Sequence, residues 1–223
     1  SANAINVISW ISVVAIAVVT AALVVVLSVF NGFEDLVKQL YSDFYTDIKI
    51  TNATGKWMDA DSLVLQKVLS AKGVQAAEPI VEERAILMQE NDKSIVWLKG
   101  VSETYASHSG VPSNIIRGRY ATGSAAQPAL VLGTGVENAL QIIAGQTPDP
   151  VTIYLPNRNA GIDADPLTAL HSANAFAAGT FAIQQEFDNQ YAFTDAHFMR
   201  YMLDLKANQA SAVEVVIAQD AGE

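Results

Sequence analysis

The chain has 223 residues, 51% of them hydrophobic, and its 23 acidic against 13 basic residues give a formal charge of −10. That balance argues against nucleic acid and anionic headgroups as partners, since both repel an acidic surface. With no cysteine, a disulfide framework and cysteine-based metal or redox sites are excluded.

The apolar material is concentrated at the start, and no charged residue occurs from Ser1 through Phe33. As a helix, residues 5–30 would extend about 39 Å, more than the roughly 30 Å hydrocarbon core of a bilayer. Lipid offers backbone groups no partner, so a self-satisfied transmembrane helix is expected here despite the many Val and Ile. A cleaved secretory signal would need a basic leader and a shorter apolar core, whereas the first lysine is Lys38. A buried core helix is the other competing reading, but such helices rarely go uncharged for so long. A helical stalk is expected to follow, with Leu36, Val37, Leu40, Tyr41 and Phe44 on one face and Glu34, Asp35, Lys38 and Asp43 on the other. The chain starts without Met and without a basic flank, so we expect a fragment whose orientation charge does not set.

Residues 47–51 alternate polar and apolar as a strand does. Asp61 is expected to cap a helix through Ala71, with Gly73 at its C′ position, and a strand from Val74 is expected to break near Pro79. Together these form a β-α-β unit. Residues 81–89 and 94–101 read as a hairpin joined at Asn91-Asp92. The Gly-, Ser-, Pro- and Ala-rich stretch 106–127 reads as a surface connection. Beyond it we expect a strand at 128–133, a helix at 136–144, a strand at 151–155 and a long loop at 156–175. A strand at 181–187, a helix from Thr194 through Leu203 and a last strand at 212–217 complete the pattern.

Catalytic chemistry is hard to find. Gly133-Thr134-Gly135 lies between strand and helix, but Asn138 stands where a dinucleotide fingerprint needs its third glycine. His108, His171 and His197 are too scattered to pair as ligands. Asp163 and Asp165 resemble the start of a calcium loop that Pro166 spoils. No nucleophile elbow is present. The expectation is a protein that is not an enzyme and needs no metal or cofactor.

Ser28-Val29-Phe30-Asn31-Gly32-Phe33-Glu34 resembles the end of the first transmembrane helix in lipoprotein-releasing ABC-transporter permeases of the Lol C/E family, with Phe30 in place of a usual methionine. Val131-Leu132-Gly133, Gly179-Thr180-Phe181 and Tyr191-Ala192-Phe193 follow in the family's order. The resemblance implies an α+β chain: a first transmembrane helix, then a MacB-like periplasmic core domain with a β-α-β porter-type part and an inserted β-rich part. The implied divisions are 1–33 for the transmembrane helix and 34–46 for the stalk. The first porter unit takes 47–105, the insert 106–205, and the start of a truncated second porter half 206–223.

It further implies residence in the inner membrane with everything after residue 33 in the periplasm. The implied partners are a cytoplasmic ATPase subunit, a second permease copy or paralogue, a lipoprotein substrate and a periplasmic lipoprotein chaperone. The chaperone-contacting loop would include Asn157, Arg158, Asn159, Ile162, Asp163, Asp165 and Leu167. Gly32 is expected to supply unusual backbone geometry at the membrane exit, with Phe30 and Phe33 lining a lipid-entry interface. The competing functions are a related efflux or cell-division permease, a membrane-anchored binding module, and a membrane-anchored hydrolase.

Overall fold

The structure, a computed structural model, describes residues 2–42, 44, 46–157 and 169–218, with the side chains of 2–5 and 38–42 outside the description. It divides into two compact units, Ser1–Tyr41 and Ser42–Glu223. The first is one helix, α1 (Ala2–Ser42), unbroken across both the expected span and most of the expected stalk. Within it Asn6–Val37 is long and apolar enough to cross a membrane, and none of its most apolar stretch is buried by protein. The Ser12 hydroxyl donates to the Ile8 carbonyl at 3.0 Å, so even this polar group is satisfied within the helix. Of the side chains expected on the stalk's two faces, Glu34, Asp35 and Leu36 are exposed, Val37 is half-buried and Phe44 is buried beyond the helix, while Lys38, Leu40, Tyr41 and Asp43 lie outside the description.

The second unit is α+β. In chain order it contains β1 (Ile48–Thr51), β2 (Met58–Asp59), α2 (Ser62–Leu69), β3 (Val74–Gln89), β4 (Asp92–Val101), β5 (Ile115–Gly118), β6 (Ala129–Gly133) and α3 (Thr134–Ala139). There follow β7 (Val151–Pro156), β8 (Leu170–Phe181), α4 (Gln185–Asp188), β9 (Tyr191–Asp195), α5 (Ala196–Met202), β10 (Gln209–Ala210) and β11 (Ala212–Ile217). Asp61 caps α2 by accepting from Val64 N at 2.9 Å. The helix stops at Leu69 with Ser70 as its C-cap, so Gly73, at φ +87°, is not its C′ residue but turns the chain into β3.

Nine strands form one sheet, with β1-β11-β3-β4-β9-β6-β8-β5 in line and β7 bridging β3 and β8. That bridge closes a ring, β3-β4-β9-β6-β8-β7, which takes β3 and β4 from residues 47–105 and the other four strands from 106–205. Alternation fills it. Val81, Ala85, Leu87, Val96, Leu98, Leu130, Leu132, Val151, Ile153, Leu155, Ala175 and Ala192 form its core, closed by Phe198, Met199 and Met202 of α5. The alternate residues Val131, Phe181 and Phe193 face a second core with Phe44, Ile80, Tyr105 and Val111. A third core lies under α2, where Leu65 and Val68 pack on Val213 and Val215.

Several local expectations are corrected by this pairing. β3 runs straight through Pro79: the Ile80 carbonyl accepts from Ser211 N at 2.9 Å, so Ile80 presents its polar groups to β11 and Pro79 turns its donorless nitrogen away. The hairpin turns at Glu90-Asn91, one residue earlier than expected, with Glu90 at φ +51°. The stretch 106–127 holds β5, which pairs with β8. Residues 170–175, expected as loop, begin β8; Ala173, Ala175 and Ala177 pack inward there, and alanine is a weak strand signal. Of residues 181–187 only Phe181 is strand, as the end of β8, because the Asp188 carboxylate accepts from Ile183 N at 2.9 Å and the chain folds into α4. Thr194 lies inside β9, and Asp195 caps α5 by accepting from Phe198 N at 2.8 Å.

Gly133 tests this packing. A Cβ there would overlap the backbone of Asp188, which cannot swing aside as a side chain would. Gly133→Ala should cost about 1–3 kcal/mol and lower the thermal midpoint of the detergent-solubilised chain. Gly32→Ala, whose methyl would meet nothing within 4 Å, should leave that midpoint in place.

Candidate functional site

Ser28, Val29, Phe30, Asn31, Gly32, Phe33 and Glu34 all lie on α1 and are exposed. Helical spacing aligns Val26, Phe30, Phe33 and Val37 along one face, with Phe30 65% and Phe33 64% exposed. Asn31 and Glu34, three apart, share the neighbouring face. The backbone at Gly32 is ordinary helix, and no neighbour demands a glycine there. The expected special geometry at this position is therefore not what the residue supplies. Of the expected loop contacts, Asn157 closes the base of the β7–β8 connection by donating its backbone N–H to Ala169 O at 2.8 Å. Arg158, Asn159, Ile162, Asp163, Asp165 and Leu167 lie outside the described residues.

The best-defined polar arrangement in the second unit begins at Phe44, two positions after the end of α1. Its ring stacks on Phe187 at 4.1 Å between centroids, with Tyr191 edge-on at 4.7 Å and Phe193 at 5.9 Å. Inside this aromatic nest sits a lysine. Lys99 is 1% exposed, and so is Glu214. The Lys99 Nζ lies 2.7 Å from Glu214 Oε1 and donates to Glu214 Oε2 at 2.9 Å and to Tyr105 Oη at 2.8 Å. Tyr105 donates in turn to Glu214 Oε2 at 3.1 Å. Burial first, and then the Glu214 charge, pushes the Tyr105 hydroxyl well above its usual pKa, so it stays protonated and keeps donating. The ammonium also faces the rings of Tyr105 at 5.0 Å and of Phe44 and Phe193 at 5.8 Å.

The Lys99, Tyr105 and Glu214 side chains bond to one another inside the core. Sequence reading passed over Lys99, Glu214 and Tyr105. The available signal was a lone lysine within the apolar run 95–101, since a buried lysine must have a partner.

The other positions weighed from sequence have structural roles or stand apart. At Gly133 and Gly135 a side chain would collide with Asp188 and Asn189, so these glycines allow a close approach of the chain. His171 Nδ1 lies 2.7 Å from the Met202 carbonyl, and His171 with Tyr201 and Asp204 lines an open groove of about 360 Å³ beside the base of the β7–β8 connection. His108 and His197 join no common cluster, and among the described residues no three His, Asp or Glu side chains are grouped to hold a metal ion.

A long apolar helix thus leads into an α+β domain that contains a closed strand ring and a buried ion pair. Residues 9–219 match the family model of the MacB-like periplasmic core domain, and the chain belongs to that family. Two solved structures are similar to the chain at low identity. One is the extracellular domain of the noncanonic ABC-type transporter YknZ from Gram-positive bacteria, at 10% identity and TM-score 0.49, covering 79% of this chain and 82% of that one. The other is the periplasmic region of MacB from Actinobacillus actinomycetemcomitans, at 13% identity and TM-score 0.45, covering 78% and 68%.

Removing one member of the buried pair strands the other. Lys99→Met should cost about 3–5 kcal/mol in urea unfolding because the Glu214 carboxylate is left in the core without its counter-charge. Phe44→Ala should cost a similar amount, about 3–5 kcal/mol, through the cavity it opens among four aromatic rings.

Proposed function

We infer that this chain is the first membrane span and periplasmic domain of an ABC-transporter permease that releases lipoproteins from the inner membrane. The observation that carries the reading is that the family match includes most of the apolar helix and the domain after it, while Ser28–Glu34 within that helix resembles the corresponding stretch of lipoprotein-releasing permeases, with Phe30 in place of a usual methionine. In this reading a cytoplasmic ATPase subunit hydrolyses ATP, and the permease is mechanical, with no catalysis, metal or cofactor of its own. Two permease copies or paralogues part at their first helices to admit the acyl chains. The exposed Phe30 and Phe33 offer apolar surface to those chains, and Asn31 and Glu34 mark the level where the helix leaves lipid. The domain beyond residue 33 stands in the periplasm and passes the lipoprotein to a soluble chaperone, which the connection between β7 and β8 contacts.

Two experiments test this. A photo-crosslinking residue at Asn157 or Asp163 of the native, membrane-embedded transporter should give an adduct with the lipoprotein chaperone. No adduct, together with export of a small amphiphile, would instead assign the chain to the efflux permeases. Phe33→Ala should slow lipoprotein release from spheroplasts several-fold while leaving the amount of assembled transporter unchanged; an unaltered release rate removes Phe33 from the entry path.

A further inference from the structure

β3 exchanges partners within two residues. Up to Ile80, opposite Ala212, it pairs with β11; from Val81, opposite Gly100, it pairs with β4. The small sheet of β1 and β11 and the six-stranded ring therefore share one strand, and they meet where that strand changes its neighbour. Backbone pairing alone fixes such a junction poorly, because strands twist and neither ladder spans both halves of β3.

Side chains span the junction instead. Lys99 on β4 stands opposite Glu82 and Glu214 on β11 stands opposite Glu78, so their contact crosses β3 diagonally above Ile80. Lys49 on β1 also donates to the Glu82 carboxylate at 3.1 Å, and four further hydrogen bonds lie along the same line. The Glu78 carboxylate accepts from Ser102 Oγ at 2.8 Å and from Thr104 Oγ1 at 2.6 Å, both in the segment following β4. Ser211 Oγ donates to Ile80 O at 3.0 Å and accepts from Glu82 N at 2.8 Å. Elsewhere the ring is tied to the strands around β11 by Arg200 Nε, which donates to Gln209 O at 3.0 Å, and by Lys56 with Glu83, where the lysine is exposed and its attraction screened.

We propose that Lys99, Glu214 and Tyr105 form a conformational latch that fixes the angle between the β1–β11 sheet and the ring. The setting explains why a charged pair serves there. Its neighbours Phe44, Ile80, Val101 and Phe193 are apolar, and an apolar pair of similar volume would fill the space with equal or greater stability. Hydrocarbon, however, tolerates sliding and rotation. The ammonium has its acceptors in place in one arrangement only, and any shift of β11 against β4 strands a charge in the core. The latch is thus all-or-none, and it makes the two parts turn as one rigid piece. This inference stands on the geometry of the junction and does not depend on which cargo the transporter carries.

The chain contains no cysteine, so cysteines at two exposed positions can carry spin labels without interference. Leu63 on α2 is 68% exposed and Phe176 on β8 is 55% exposed, one on each side of the junction. In the detergent-solubilised full chain labelled at Leu63→Cys and Phe176→Cys, pulsed dipolar spectroscopy should give a single narrow distance distribution. The added pair Lys99→Met and Glu214→Leu should keep the thermal midpoint within a few degrees of the parent or raise it, while at least doubling the width of that distribution. An unchanged width in the folded apolar variant overturns the proposal. Should that variant not fold, Tyr105→Phe, which removes one hydroxyl and keeps the volume, decides: broadening supports the latch, and the parent width overturns it.

Discussion

β3 has 16 residues, well beyond an ordinary strand, and the rest of the second unit depends on how its two edges are divided. Its first half supports β11 and, through it, β1 and the packing of α2. Its second half has β4 on one edge and β7 on the other, and the β7 contact closes the ring. Two requirements follow from this shared use. The strand must be free of ladder defects at the change of partner, which Pro79 meets by pointing its nitrogen off β11. Something besides the ladder must also hold the halves in register, and the polar groups over Ile80 do so.

The ion pair over that junction illustrates how position can matter more than net stabilisation. Taking both charges out of water costs several kcal/mol per ion, and the short contacts and the Tyr105 hydroxyl work against that cost. Phe44 bears on the same site from the helix side of the chain, because its ring lies over the ammonium and stacks on Phe187. Among the described residues, Phe44 near the start of the unit and β11 near its end thus reach one small volume of the core.

Much of the fold was legible in the residues because alternation and capping act locally. The apolar helix, the cap at Asp61, the strands β1, β6, β7 and β11, and the β3–β4 hairpin all announce themselves through spacing. The missed features share a different cause. β8 was hidden by its inward alanines, since a ring interior admits only small residues at some positions, and alanine alternating with polar residues does not look like a strand. α4 was misread as strand because its bend depends on one side chain, Asp188, reaching back to Ile183. The buried cluster was less visible still. Lys99 and Glu214 are 115 positions apart, and neither residue type signals burial until the partner is known. At the membrane exit the residues themselves were plain, but Gly32 is an ordinary helical residue, so the unusual backbone geometry expected from its identity is absent.

The closed ring also sets the order in which the molecule can be made. Its β3–β4 hairpin is local and can form as soon as it is synthesised, yet β4 needs β9, where Leu98 meets Ala192, before its other edge is covered. Contacts of such long sequence separation form slowly, and until they do the hairpin offers an open edge and an apolar face. In the membrane-tethered reading, α1 emerges first and is lodged in lipid while the remaining strands are still being delivered. A nascent domain held at one end cannot diffuse freely, so the anchor limits encounters between half-folded copies during the interval when their strand edges are most exposed.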